Sequence, residues 1–109
     1  MKRGDVCWYE FQPPDKRRPV LILTRTEMIP YLNEVTVVQI TSTVRGVRSE
    51  LPLSSEDGMS SLCAANFYHV QTIPKNKIGS RITTLSNERM QEIGPALCFA
   101  LGVDEAFFS

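Results

Sequence analysis

Arg18 and Thr41 are the residues of this chain best placed for chemistry. Arg18 opens the apolar run Arg18-Pro19-Val20-Leu21-Ile22-Leu23, and Thr41 lies near the end of Val37-Val38-Gln39-Ile40-Thr41-Ser42. The stretch between the runs is short enough for antiparallel pairing, which would bring Arg18 into the neighbourhood of Thr41. A permanent cation beside a hydroxyl suits the holding and cleavage of a phosphodiester. The planar guanidinium can make paired hydrogen bonds to phosphate oxygens. A threonine hydroxyl donates or accepts, but it is a poor base, so its natural task is orientation. The competing reading of Arg18 is a surface arginine paired with Glu10 or Asp15. That of Thr41 is a β-branched strand residue. Ser42 and Thr43 adjoin it as alternative hydroxyls.

The elements that must position this pair are mostly strands. Asp5–Phe11 alternates and carries Val6, Trp8, Tyr9 and Phe11, the pattern of a half-buried strand. Gln12–Arg17 is a loop with two prolines. Arg18–Arg25 is a near-continuous apolar run and reads as a buried strand. Pro30 argues against a long helix in the connection Thr26–Glu34. Val35–Ser42 is rich in β-branched residues and reads as a strand, and Gly46–Leu53 as a weaker one limited by Pro52. Ser61–Phe67 and His69–Ile73 read as two strands separated by a bend. Pro74–Gly79 is a loop or short helical turn, and Ile82–Leu85 a last short strand. Ser86 is placed as an N-cap, with Glu88 in the first turn. Met90, Ile93, Leu97 and Leu101 then repeat at helical spacing up to Gly102. Gly94-Pro95 within this run predicts a kink or two short helices. Residues 1–85 are therefore expected to be mostly β, 86–102 helical and 103–109 a tail, all in one domain spanning 1–109. Many short strands with one terminal helix imply a small, strongly curved, barrel-like antiparallel sheet.

Length and composition narrow the function. The chain has 109 residues, 42% of them hydrophobic, enough for one domain with a modest core. No apolar run approaches membrane-spanning length. No stretch resembling a signal peptide follows Lys2 and Arg3, so a cytoplasmic protein is expected. Cys7, Cys63 and Cys98 are odd in number, widely spaced and set among apolar neighbours, which suits buried thiols in a reducing compartment. Carboxylates do not cluster at metal-ligand spacing, and no Cys/His pattern suits zinc, so neither a metal nor another cofactor is expected. The lone His69 excludes a two-histidine acid/base site within one chain.

The zero net charge is unevenly spread: residues 16–48 carry +4 and residues 82–109 carry −3. Lys16, Arg17, Arg45 and Arg48 flank the two key strands and could form a basic face for a polyanion. A solvated surface of mixed charge is the alternative. Trp8, Tyr9, Phe67 and Tyr68 are candidate stacking surfaces, and Asn66, His69 and Gln71 could read base edges. The apolar Ala106-Phe107-Phe108 tail could pack back or meet a partner.

Taken in order, these features resemble the MazF/PemK family of bacterial toxin endoribonucleases. The matching stretches are Arg3-Gly4-Asp5-Val6 with an aromatic soon after, Arg18-Pro19-Val20-Leu21, Gln39-Ile40-Thr41-Ser42, Gln71-Thr72-Ile73 and the Leu85–Leu101 helix. Three features depart from the family pattern. The loop before Arg18 is short and lacks a Gly-rich segment, Gln71 stands where many relatives are basic, and His69 where an amide is frequent. The resemblance implies a barrel-like fold of the MazF/CcdB type, a homodimer, and metal-independent cleavage of single-stranded RNA with Arg18 and Thr41 as catalytic residues. It further implies inhibition by a cognate antitoxin protein. The RNA-binding candidates are Lys16, Arg17, Arg45, Arg48, Asn66, His69 and Gln71. The alternative is a non-enzymatic toxin like CcdB, which poisons DNA gyrase by binding, since fold does not fix function.

Overall fold

The computed structural model describes residues 1–14, 16–103 and 105. Its strands are β1 (Asp5–Glu10), β2 (Arg17–Ile22), β3 (Glu34–Thr41), β4 (Glu50–Leu53), β5 (Cys63–Pro74) and β6 (Ile78–Thr84). Two helices follow, α1 (Asn87–Gln91) and α2 (Ile93–Leu101). Asp15 and the Phe107-Phe108 end of the expected tail lie outside the described residues. All strands join one antiparallel sheet in the order β4-β5-β3-β2-β1-β6. The sheet is open, with β4 and β6 at its edges, rather than closed into a barrel.

The apolar run Val20-Leu21-Ile22 is buried throughout because both faces of the sheet are covered. Leu21 joins Val6, Val38, Ile40 and Phe67 on one face, beneath Ile93 and Ala96 of α2. Val20 and Ile22 join Val35, Val37 and Ile73 on the other, closed by Ile29 of the short 3-10 turn Thr26–Tyr31. That turn is what the chain builds where Pro30 forbids a longer helix. Residues facing this second cluster share a side with Arg18 and Thr41, because side chains alternate along a strand.

Four details differ from the sequence expectation. The weak strand is confined to Glu50–Leu53, since the preceding residues form a loop. The last strand is longer than expected and begins at Ile78, directly after a turn at Lys75–Lys77. The two strands expected between Ser61 and Ile73 are one continuous β5, whose bend is a bulge. Val38 pairs with Val70 and Ile40 with Ala65, so Asn66–His69 stand opposite Gln39 alone. The helical break falls at Glu92 rather than at Gly94-Pro95. Proline lacks an N–H and its ring crowds the carbonyl four residues earlier, here Gln91, which moves the break upstream. Pro95 itself sits in the first turn of α2, where no intrahelical donor is needed.

Candidate active site

β2 and β3 pair through Val20–Gln39, Leu21–Val38 and Ile22–Val37. Continuing that register by two residues sets Arg18 opposite Thr41. On its other side Arg18 pairs with Tyr9, while Thr41 pairs with Ala64 of β5. One row across the sheet thus reads Tyr9, Arg18, Thr41, Ala64, on the face away from α2. Pro19 precedes the buried run and offers no N–H, so the ladder weakens where the site begins.

Arg18 is half-buried, and its Nε is enclosed with no hydrogen-bond partner among the described residues. Neither Glu10 nor any other described carboxylate forms an ion pair with it, while Asp15 lies outside the described residues. An enclosed donor left unpaired costs about 1–3 kcal/mol, more when charged. An anion placed over Arg18 would supply the missing acceptor. The Thr41 hydroxyl donates to the Thr43 carbonyl at 3.3 Å, which orients it and leaves its oxygen able to accept.

The other candidates are divided among several places. Lys16 is exposed at the end of the β1–β2 hairpin, where its carbonyl accepts from the Phe11 N–H. Arg17 is on the opposite face from Arg18, its guanidinium 4.3 Å from the centre of the Trp8 ring. Arg48 stands over the Phe99 ring of α2 at 4.4 Å, on the helical side. Arg45 is exposed on the β3–β4 loop. Asn66 and His69 lie in the β5 bulge, and the Asn66 side-chain oxygen accepts from the Tyr68 N–H at 3.1 Å. Gln71 pairs with Val37 and so shares the face of Arg18 and Thr41. Phe67 is wholly buried and offers no stacking surface, whereas Tyr68 is 62% exposed.

Sequence reasoning did not single out Gln39. It is half-buried, pairs with Val20 and lies on the same face as Thr41, one side-chain step away. Strand alternation counted back from Thr41 was the available signal.

The β3–β4 loop is held by the nearly buried Glu50, whose carboxylate accepts from the backbone N–H groups of Arg45 and Gly46. This carboxylate replaces ladder partners the loop lacks and keeps Arg45 and Arg48 on a defined backbone. Burial pushes the Cys7 and Cys63 thiols above their ordinary value, with Asp5 and Asp57 respectively adding to the effect. Both are therefore poor nucleophiles. Among the described residues no three His, Cys, Asp or Glu side chains come together in a way that could hold a metal ion.

Residues 2–101 match the family described as PemK-like, MazF-like toxin of type II toxin-antitoxin system. The chain belongs to this family. It is 41% identical over 88 residues to the endoribonuclease MazF3 of Mycobacterium tuberculosis, covering 81% of this chain and 82% of that protein. Among solved structures it resembles the Mycobacterium tuberculosis toxin MazF-mt6, with a TM-score of 0.83 and 34% identity over 90% of this chain and 96% of that one. A mycobacterial endoribonuclease in complex with its cognate antitoxin shares the MazF fold at a TM-score of 0.81 and 22% identity, covering 94% of this chain and 96% of that one. No helix among the described residues is long and apolar enough to cross a membrane.

Proposed function

We propose that this MazF-family chain is the toxin of a type II toxin–antitoxin pair. It acts as a metal-independent, sequence-selective endoribonuclease on single-stranded RNA. The observation that supports the reading is Arg18, which the β2–β3 register, continued by two residues, brings opposite Thr41, and whose enclosed Nε has no partner among the described residues. The ribose 2′-OH attacks the adjacent phosphorus, and the bond to the 5′ oxygen breaks. A 2′,3′-cyclic phosphate and a 5′-OH end result. Arg18 stabilises the charge that builds on the phosphate oxygens, the contribution that is often largest in such sites. Thr41 orients the 2′-OH or a phosphate oxygen. Gln39 and Gln71, on the same face and successively further along the strands from Thr41, are placed to touch the RNA on that side.

The rest of the reading follows from the family. The protein works in the cytoplasm as a homodimer built from one functional domain, with a strongly curved sheet giving each copy a concave RNA-facing side. A cognate antitoxin inhibits it by covering the RNA groove and the Gln12–Arg17 loop, so RNA and antitoxin compete. A gyrase-poisoning toxin on this scaffold would need neither Arg18 nor Thr41.

The test incubates purified protein and Arg18→Ala with a long single-stranded RNA in excess EDTA and maps the new ends. Cuts at one short motif, bearing 2′,3′-cyclic phosphates and absent from the variant, are expected. No cleavage across varied RNAs, with inhibition of gyrase instead, would replace this reading with the binding-type toxin.

A further inference from the structure

Apart from the Arg18–Thr41 row, a cavity of about 540 Å³ opens between the β3–β4 loop, the β5 bulge and α2. Its wall includes Arg45, Arg48, Ser49, Asn66, Tyr68 and Phe99. Building on the ribonuclease reading, we infer that this cavity is a specificity pocket for one base of the RNA, a keto base (guanine or uracil) in preference to adenine.

The shape suits a base. Tyr68 is 62% exposed and Phe99 40% exposed, side by side on the cavity wall. Flat rings presented to solvent are stacking surfaces for nucleobases, as is the face of a guanidinium. The Arg48 guanidinium already lies over Phe99, its carbon 4.4 Å from the ring centre, so it is positioned at the cavity before any ligand arrives. The cavity volume lies in the range of small-ligand sites.

The polar groups choose among the bases. Arg45 and Arg48 can only donate. The Asn66 side-chain oxygen is engaged by the Tyr68 N–H, which leaves its amide N–H₂ as the outward group. Ser49 is fully buried, and its hydroxyl has no partner among the described residues. Such an orphan in a native fold calls for a ligand or a function. A donor-rich wall fits the O6 and N7 of guanine or the carbonyl oxygens of uracil. It mismatches the adenine amino group, itself a donor.

The pocket is also rigid. Glu50 ties the Arg45 and Gly46 N–H groups, and the Phe67 N–H donates to the Ser49 carbonyl at 2.8 Å. Loop and bulge are thus joined as one frame. Three residues lie between Thr41 and Arg45, at most about 14 Å of chain. The cavity lies on the helical side of the sheet, so an RNA strand held at Arg18 would have to pass around the end of β3 to place a base in it. The three sequence-predicted residues Arg45, Arg48 and Asn66 then act as one subsite, joined by Ser49, Tyr68 and Phe99.

Two measurements test this. In the first, GMP, UMP and AMP are titrated into the wild-type protein while backbone amide signals are followed by NMR. GMP or UMP should shift Gly46, Val47, Ser49, Asn66 and Tyr68 and bind about fivefold or more tightly than AMP. Shifts elsewhere only, or AMP binding as tightly, would overturn the inference. In the second, wild type, Arg48→Ala and Tyr68→Ala cleave a randomised RNA pool and the ends are sequenced. The preference for G or U at one position near the cut should fall by about fivefold or more in both variants, the other positions keeping theirs. Unchanged preferences in variants whose circular dichroism matches wild type would overturn it. So would loss of antitoxin binding alone, which would make the cavity a protein-docking site. If the wild type cuts no RNA yet GMP or UMP shifts the loop amides, the nuclease reading fails while the pocket stands.

Discussion

At the residue scale, the proposed division of labour between Arg18 and Thr41 makes distinct predictions. Arg18→Ala removes the only charge in its row of the sheet and should lower cleavage by about a hundredfold or more, the loss typical of removing a preorganised donor. Arg18→Lys keeps the charge but loses the planar fork and should recover only a small part of that loss. Thr41→Ser retains the hydroxyl and should keep most of the activity, whereas Thr41→Ala should not. Ser42 lies just beyond the end of β3, outside the strand row that holds Thr41, so Ser42→Ala should cleave nearly as wild type. A severe Ser42→Ala defect would shift the site by one residue. Single-turnover cleavage of one oligonucleotide, with circular dichroism to verify folding, separates these outcomes. The pair was proposed from the ordered stretches shared with the family, since by residue type alone a surface arginine and a strand threonine compete with a catalytic role. Gln39 was hidden inside its run, where only alternation marks it.

At the element scale, the decisive pieces are a loop and a bulge that secondary-structure patterns describe poorly. Glu50 is almost buried and spends its carboxylate on two backbone N–H groups of the β3–β4 loop. Glu50→Gln loses the charge and one acceptor oxygen. It should cost about 1.5–3 kcal/mol, the range for hydrogen bonds to charged groups. Urea unfolding measures this, and faster amide exchange at Arg45 and Gly46 should accompany it. Gly58 supplies a second test. It ends the Ser55–Asp57 turn at φ +91°, and an added Cβ would stand 2.3 Å from the Thr83 hydroxyl oxygen. Gly58→Ala combines a left-handed backbone with a clash against β6. It should destabilise by about 1–3 kcal/mol. The same hydroxyl already donates to the Asp57 carbonyl at 3.0 Å, so this turn and the edge strand are coupled.

At the scale of the whole molecule, two covered faces make the sheet sensitive to its core and to pH. Phe67 is completely buried among residues from β1, β2, β3, β4 and α2. Phe67→Ala should cost about 3–5 kcal/mol, enough to consume much of the stability of a domain this size. Cys7 and Cys63 add a pH dependence whose sign follows from their burial. Each thiol is held protonated in the fold, above its ordinary value of 9.0. The unfolded chain therefore releases these protons first as pH rises. Stability from this source is complete below 9.0 and is lost as pH climbs toward the higher folded values. Thermal unfolding at pH 7 to 10 should show a decline above 9.0 that is shallower in Cys7→Ala than in wild type.

Strand content and the terminal helical run were determined by the sequence alone, because they rest on local signals. Alternation at Asp5–Phe11, the β-branched run at Val35–Ser42 and the proline punctuation act within a few residues. The proposed Arg18–Thr41 juxtaposition asks only for two adjacent antiparallel strands, which β2 and β3 are. What the tertiary structure decided was the sorting of side chains to faces and the joining of segments distant in the chain. Arg17 and Arg48 carry the same charge as Arg18, yet Trp8 holds one on the other face and Phe99 draws the other to α2. The cavity at Ser49, Tyr68 and Phe99 arises only where a loop, a bulge and a helix meet. No periodicity encodes that meeting, because the packing of the helix on the sheet, not the propensity of any segment, sets where those residues converge.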